Sequence, residues 1–182
     1  MKKLLYLCVA VLSLAFASCE KDEVGGTATQ ALAGEWYVTV DAVDDNGNTI
    51  EGGEDFFGLG KFLLNTYNTA ANESDKMWID DKNNFWGFKV RMTSDINNLT
   101  FTTGGEVTNA NASKKNDGTI YYCNVNVENG KMLPGAGLTP HGTAADSIVF
   151  YVSFDDDPYP ARYGYSKYKV SGIRYTGLTQ DD

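Results

Sequence analysis

Short runs of alternating apolar and polar residues recur along this chain, and nothing beyond its opening segment holds a helical period over ten residues. An extended strand sends successive side chains to opposite faces, so each such run reads as a strand with one buried side. Trp36, Val38, Val40 and Ala42 alternate with Tyr37, Thr39 and Asp41. Phe88, Val90 and Met92 alternate with Lys89, Arg91 and Thr93 within 87–93, and Ile148, Phe150, Val152 and Phe154 share a face of 147–154. Further strands are predicted over 61–67, 76–80, 99–103, 119–128, 131–133 and 168–175. Gly, Asn, Asp and Pro clusters separate them, with Asn46-Gly47 and Asn129-Gly130 read as tight turns. About eight or nine strands, no internal repeat and no second linker predict one all-β domain, an antiparallel sandwich or barrel.

The opening segment has a different character. Lys2 and Lys3 precede an apolar run from Leu4 to Ala17, and after Cys19 the chain turns to Glu20-Lys21-Asp22-Glu23. A charged start, a short apolar core and small residues before the cut point make a secretory signal. The run is too short for a membrane-spanning helix. Phe16-Ala17-Ser18-Cys19 resembles the lipobox of a bacterial lipoprotein. That resemblance implies a signal peptide over 1–18 and a lipidated Cys19; the polar, small residues that follow, with Gly25-Gly26, read as a flexible tether over 19–32 ahead of a folded body over 33–182. The lipobox resemblance also implies a cell-envelope protein held on the outer membrane. Glu20 to Glu23 further resembles the export signals of surface-exposed Bacteroides-type lipoproteins.

The whole chain carries −9, and loss of Lys2 and Lys3 with the signal takes it to about −11. So acidic a body argues against nucleic-acid partners and against polybasic docking on anionic lipid. Cleavage removes Cys8 and lipidation occupies Cys19, so Cys123 is the remaining thiol and no disulfide is expected. Cys123 alternates with apolar neighbours and reads as a small core residue.

Gly34-Glu35-Trp36, ahead of the first strand, resembles the G-x-W motif that opens lipocalin-like barrels. There the indole plugs one barrel end while a basic residue of the last strand crosses its face, the part assigned to Arg174. Phe57-Gly58-Leu59-Gly60, Asn65-Thr66-Tyr67-Asn68-Thr69, Met77-Trp78-Ile79-Asp80-Asp81 and Phe85-Trp86-Gly87-Phe88-Lys89 extend the likeness. Together with the Cys19-Glu20-Lys21-Asp22-Glu23 start, they resemble the lipid-binding putative hydrolase family of Bacteroides-type lipoproteins. The resemblance spans about Ala33 to Gly177 and implies a single antiparallel, lipocalin-like barrel of about eight strands. The second motif of true lipocalins is missing, which points to a calycin-type relative.

Such a barrel holds either packed side chains or one small apolar ligand. Val38, Val40, Phe62, Leu64, Phe88, Val90, Phe150 and Val152 are the candidate lining, and equally a plain core. Phe56 and Phe57, in a glycine-hinged loop after the first strand, read as a hydrophobic gate or as a loop folded onto the core. Tyr163 and Tyr165, with Tyr159 and Tyr168, read as an aromatic platform for lipid or glycan, or as rings shielding the barrel rim. Asp155-Asp156-Asp157 and Asp80-Asp81 read as solvated acidic turns rather than a cation site.

Catalytic signals are sparse. His141 is the one histidine, and Gly164-Tyr165-Ser166-Lys167-Tyr168 lacks the second glycine of a nucleophile elbow. There is no H-E-x-x-H metal motif. The expectation is a noncatalytic binding protein with no metal or cofactor, joined to a membrane through Cys19. A glycan-binding module and a hydrolase are its alternatives, and the oligomeric state is left open.

Overall fold

In the computed structural model, which describes residues 25–178, the alternating segments pair edge to edge until the last meets the first. The wall is built from β1 (Gly34–Val43), β2 (Phe62–Asn68), β3 (Lys76–Asp80), β4 (Lys89–Asp95) and β5 (Thr100–Thr102). It continues through β9 (Asn124–Leu138), β10 (Ala144–Phe154) and β11 (Lys167–Arg174). All pairings are antiparallel; β11 joins β1 to β10, and β10 pairs with β9 to close the ring. The result is a closed eight-stranded barrel, which leaves no long unpaired edge. Three short strands lie within the β5–β9 connection. β6 (Val107–Thr108) pairs with β9, while β7 (Ser113–Lys114) and β8 (Ile120–Tyr121) form a separate hairpin. A single helical turn, α1 (Pro160–Tyr163), precedes β11.

Period-two alternation fills the interior. Trp36, Val38 and Val40 meet Leu64, Ile79, Val90, Phe150 and Val170 in one buried cluster. Gly172 stands where β11 passes between Val38 and Ile148. A Cβ there would lie 1.9 Å from the Tyr37 carbonyl oxygen and 2.6 Å from the Val38 Cα, so only glycine lets the strands approach.

Because the strands alternate in direction, loops 44–61, 81–88, 103–123 and 155–166 gather at one end, here the upper end. The N-terminal segment and turns 69–75, 96–99 and 139–143 gather at the lower end. Trp36 plugs the lower end. Its Nε1 donates to Thr66 Oγ1 at 2.9 Å, and that hydroxyl donates to the Leu32 carbonyl at 2.7 Å. The Arg174 guanidinium lies 4.4 Å from the indole centre. It donates from Nη1 to the Ala33 carbonyl at 2.7 Å and from Nε to Asp146 at 3.1 Å. Gly34 makes room, since a Cβ there would sit 2.2 Å from Nη1.

Two expectations are corrected. The tether does not extend to residue 32: residues 27–32 form a turn on the lower end, with Thr29 and Leu32 fully buried. Leu32 is apolar surface that the barrel end covers, which fixes the turn. Asn129-Gly130 is not a reversal either, because β9 runs straight through it. Tyr151 faces Glu128 and Val149 faces Lys131, so two residues oppose Phe150 in a β-bulge. Asn129 takes the left-handed conformation (φ 52°), which an Asn tolerates in a bulge as readily as in a turn.

Candidate functional site

Carboxylates organise the upper end. Asp55, itself left-handed (φ 41°), accepts the backbone N–H of Leu59 at 2.8 Å and of Gly60 at 3.0 Å, folding the β1–β2 loop back over the barrel. Asp81 is fully buried below the β3–β4 loop. It accepts from the backbone of Asn83 (2.9 Å), Trp86 (2.7 Å) and Gly87 (2.8 Å), which turns Phe85 and Trp86 toward the mouth. Gly87 is left-handed and follows that turn, so β4 begins at Lys89 rather than at 87.

The aromatic side chains so delivered meet across the mouth. Trp86 stacks on Phe154, 4.6 Å between centres and 7° between planes. Phe57 lies 5.6–6.1 Å from Phe85, Trp86, Tyr159 and Tyr168. Phe56 packs edge-on against Tyr163 at 5.3 Å and Tyr165 at 5.2 Å. Nine rings from three loops and two strands thus form one lid. Its outer members are partly open to solvent: Phe57 is 36% exposed, Tyr159 36% and Tyr163 46%.

The triple-aspartate turn is bonded rather than solvated, which corrects another expectation. Asp155 accepts from Asn124 N (2.8 Å) and Nδ2 (2.9 Å) at the start of β9. Asp156 accepts from Trp86 Nε1 and Tyr121 Oη, both at 2.9 Å. Asp157 Oδ2 lies 2.9 Å from Tyr165 Oη and 2.7 Å from Tyr168 Oη, and the two hydroxyls meet each other, so two phenol protons are shared over three contacts. Adjacent side chains diverge in a turn, so each carboxylate reaches a different element. Buried Asp81 departs from the solvated reading for the same reason, a loop of N–H donors closing on it. Asp155 and Asp156 lie within 4.8 Å of the Cys123 thiol. Both carboxylates are already taken by protein donors, and burial pushes the thiol's pKa up, so the group holds loops together.

Burial, followed by bonding to each other and to Asp157, raises the pKa of Tyr168 far above the ordinary 10.0, and burial likewise raises that of Tyr165. The folded state therefore keeps protons that the unfolded chain releases near pH 10. Stability is expected to be level up to about pH 10 and then fall, by at most about 1.4 kcal/mol per pH unit for each tyrosine. Urea midpoints at pH 9 and 11 check this; Tyr165→Phe should flatten the decline.

Other candidate residues fall elsewhere. Val38, Val40, Phe62, Leu64, Phe88, Val90, Phe150 and Val152 are all buried in the core cluster. None of the eight lines the cavities beside Phe101 and Lys131, beside Met132 and Arg174, or between Tyr37 and Ile173. Tyr165 is 5% exposed, so it offers no face to a sugar; Tyr163 does. Phe56 and Phe57 lie folded onto the lid. His141 is exposed in the β9–β10 turn at the lower end, across the barrel from the lid. Cys19 lies outside the described residues.

The residues that assemble this lid fall within a stretch, 21–179, that matches the model of the lipid-binding putative hydrolase family. The chain belongs to that family. No curated protein matches it. Among the described residues, partly open rings gather at the lid, whereas the residues facing the barrel interior are buried. Sequence reasoning missed Phe85, Trp86 and Phe154 as lid members, and Asp156 and Asp157 as its hydrogen-bond acceptors. The available signal was the Phe85-Trp86 pair inside an otherwise polar Asn-rich turn, where rings have no solvent-side role.

Proposed function

We propose that the chain is a noncatalytic, lipid-anchored envelope protein that binds a small apolar or amphipathic, lipid-like ligand at the aromatic lid. The nine-ring lid carries this reading: loops supply most of it, and loops can part without disturbing the barrel strands below. Covering about 300 Å² of apolar ligand surface would contribute about 7 kcal/mol before the costs of association. The family's lipid-binding description supports the ligand class. The lid groups support binding over hydrolysis, since its carboxylates already accept hydrogen bonds and the single histidine lies at the far end.

A fluorescent fatty acid tests the ligand. Uptake is expected, with Phe57→Ala weakening it about tenfold, roughly 1.4 kcal/mol. No uptake by the wild-type chain, or uptake indifferent to Phe57→Ala, would sink the proposal. For the anchor, Cys19→Ala is expected to abolish radiolabelled palmitate incorporation and move the protein out of the membrane fraction. Persistent labelling would exclude Cys19.

A further inference from the structure

Exposed apolar residues concentrate at the upper end. Phe57, Leu59, Ile120, Tyr122, Tyr159 and Tyr163 all stand on upper loops, with Ile120 56% and Tyr122 54% exposed. They belong to three separate connections. The β7–β8 hairpin that carries Ile120 is joined to the lid through Tyr121, whose hydroxyl donates to Asp156. The rim is therefore continuous with the rings beneath it, Phe57 and Tyr159 lying 6.0 Å apart.

Charge narrows what such a rim fits. Loops 44–61, 81–88, 103–123 and 155–166 carry eleven acidic and five basic residues. An anionic surface is repelled; one with uncharged or zwitterionic headgroups is not. Chain length sets the orientation. Seven residues lie between Cys19 and Thr27, eight steps of chain with a reach of about 28 Å at full extension. The segment from Thr27 to Leu32 is seated on the lower end. A ten-residue strand tilted as in small barrels rises about 25 Å, and the upper loops add to that. The strand rise alone takes up nearly all of that reach and the upper loops stand beyond it, so the lid cannot turn to face the membrane that holds Cys19.

We propose that the lid end docks on a lipid surface other than the anchoring membrane, one bearing uncharged or zwitterionic headgroups. This rests on the anchored, lid-binding reading above. The rim side chains enter the headgroup boundary and bring the lid against the lipid from which a ligand is drawn.

Lipidated full-length protein reconstituted into phosphatidylcholine vesicles tests this, with protein-free vesicles supplied separately and clustering followed by light scattering. Clustering with phosphatidylcholine vesicles is expected, reduced at least fivefold by the double variant Leu59→Ser, Ile120→Ser. It should also fall severalfold when the free vesicles contain phosphatidylglycerol. Uptake of monomeric fluorescent fatty acid should be unchanged in the double variant, because neither residue contributes a ring to the lid. Absence of clustering, indifference to the double variant, or preference for anionic vesicles would overturn the docking proposal even where fatty acid is bound. Docking on protein-containing membranes alone would overturn it in favour of a protein partner. Failure of the chain to enter vesicles traces to the anchor, and loss of fatty-acid uptake with clustering intact overturns the ligand reading while supporting docking.

Discussion

Gly172→Ala is expected to lower the stability of the barrel by about 3 kcal/mol, at the upper end of what overpacking usually costs. The added methyl would meet backbone atoms of Tyr37 and Val38 rather than the movable tip of a side chain. Relief requires β11 to draw back from β1, and β11 is one of the strands that closes the ring. Gly137→Ala is the matched control. A Cβ there meets the Ile173 Cγ2 at 2.5 Å and Ser147 Oγ at 2.7 Å, both side-chain atoms that can rotate. Urea denaturation should show a large midpoint shift for Gly172→Ala and a small one for Gly137→Ala. Equal shifts would mean that the β1–β11 approach is looser than described.

Asp157→Ala is expected to cost about 3 kcal/mol and to loosen the lid. Two buried phenols lose the carboxylate that accepts their protons, and hydrogen bonds to charged groups contribute about 1.5–3 kcal/mol each. The loss should be local before it is global, because residues 155–157 lie outside the buried core cluster of the barrel. Trypsin cleavage after Arg162, in the turn α1 beside the lid, should accelerate at least tenfold under native conditions. Asp45→Ala, in an exposed turn, should leave both the midpoint and the cleavage rate where they are. If Asp157→Ala behaves like Asp45→Ala, the aspartate does not hold the lid.

Much of the wall was legible because a barrel strand writes its faces into a period of two. β1, β3, β10 and β11 lie within about three residues of the expected bounds, and the inward positions follow by parity. Trp36 and Arg174 also lie on the inward parity of their strands, but their meeting depends on the register that pairs them across β1 and β11. The lid was less legible, since Phe57, Trp86, Phe154 and Tyr168 come from separate segments and loops carry no period. Asp155 to Asp157 resembled a solvated turn because an acidic run looks the same whether water or phenols satisfy it. Asn129-Gly130 was ambiguous for a related reason: one left-handed residue serves a bulge and a hairpin alike, and only the partner strand decides.

The ligand is expected at the upper lid and not within the barrel wall or on its outer face. Photo-crosslinking with a diazirine-bearing fatty acid, mapped by peptide mass spectrometry, tests it directly. Adducts are expected on the segments holding Phe56 and Phe57, Phe85 and Trp86, and Tyr159 to Tyr165. Adducts confined to the outer groove of about 580 Å³ between Tyr37, Leu133 and Ile173 would contradict the account.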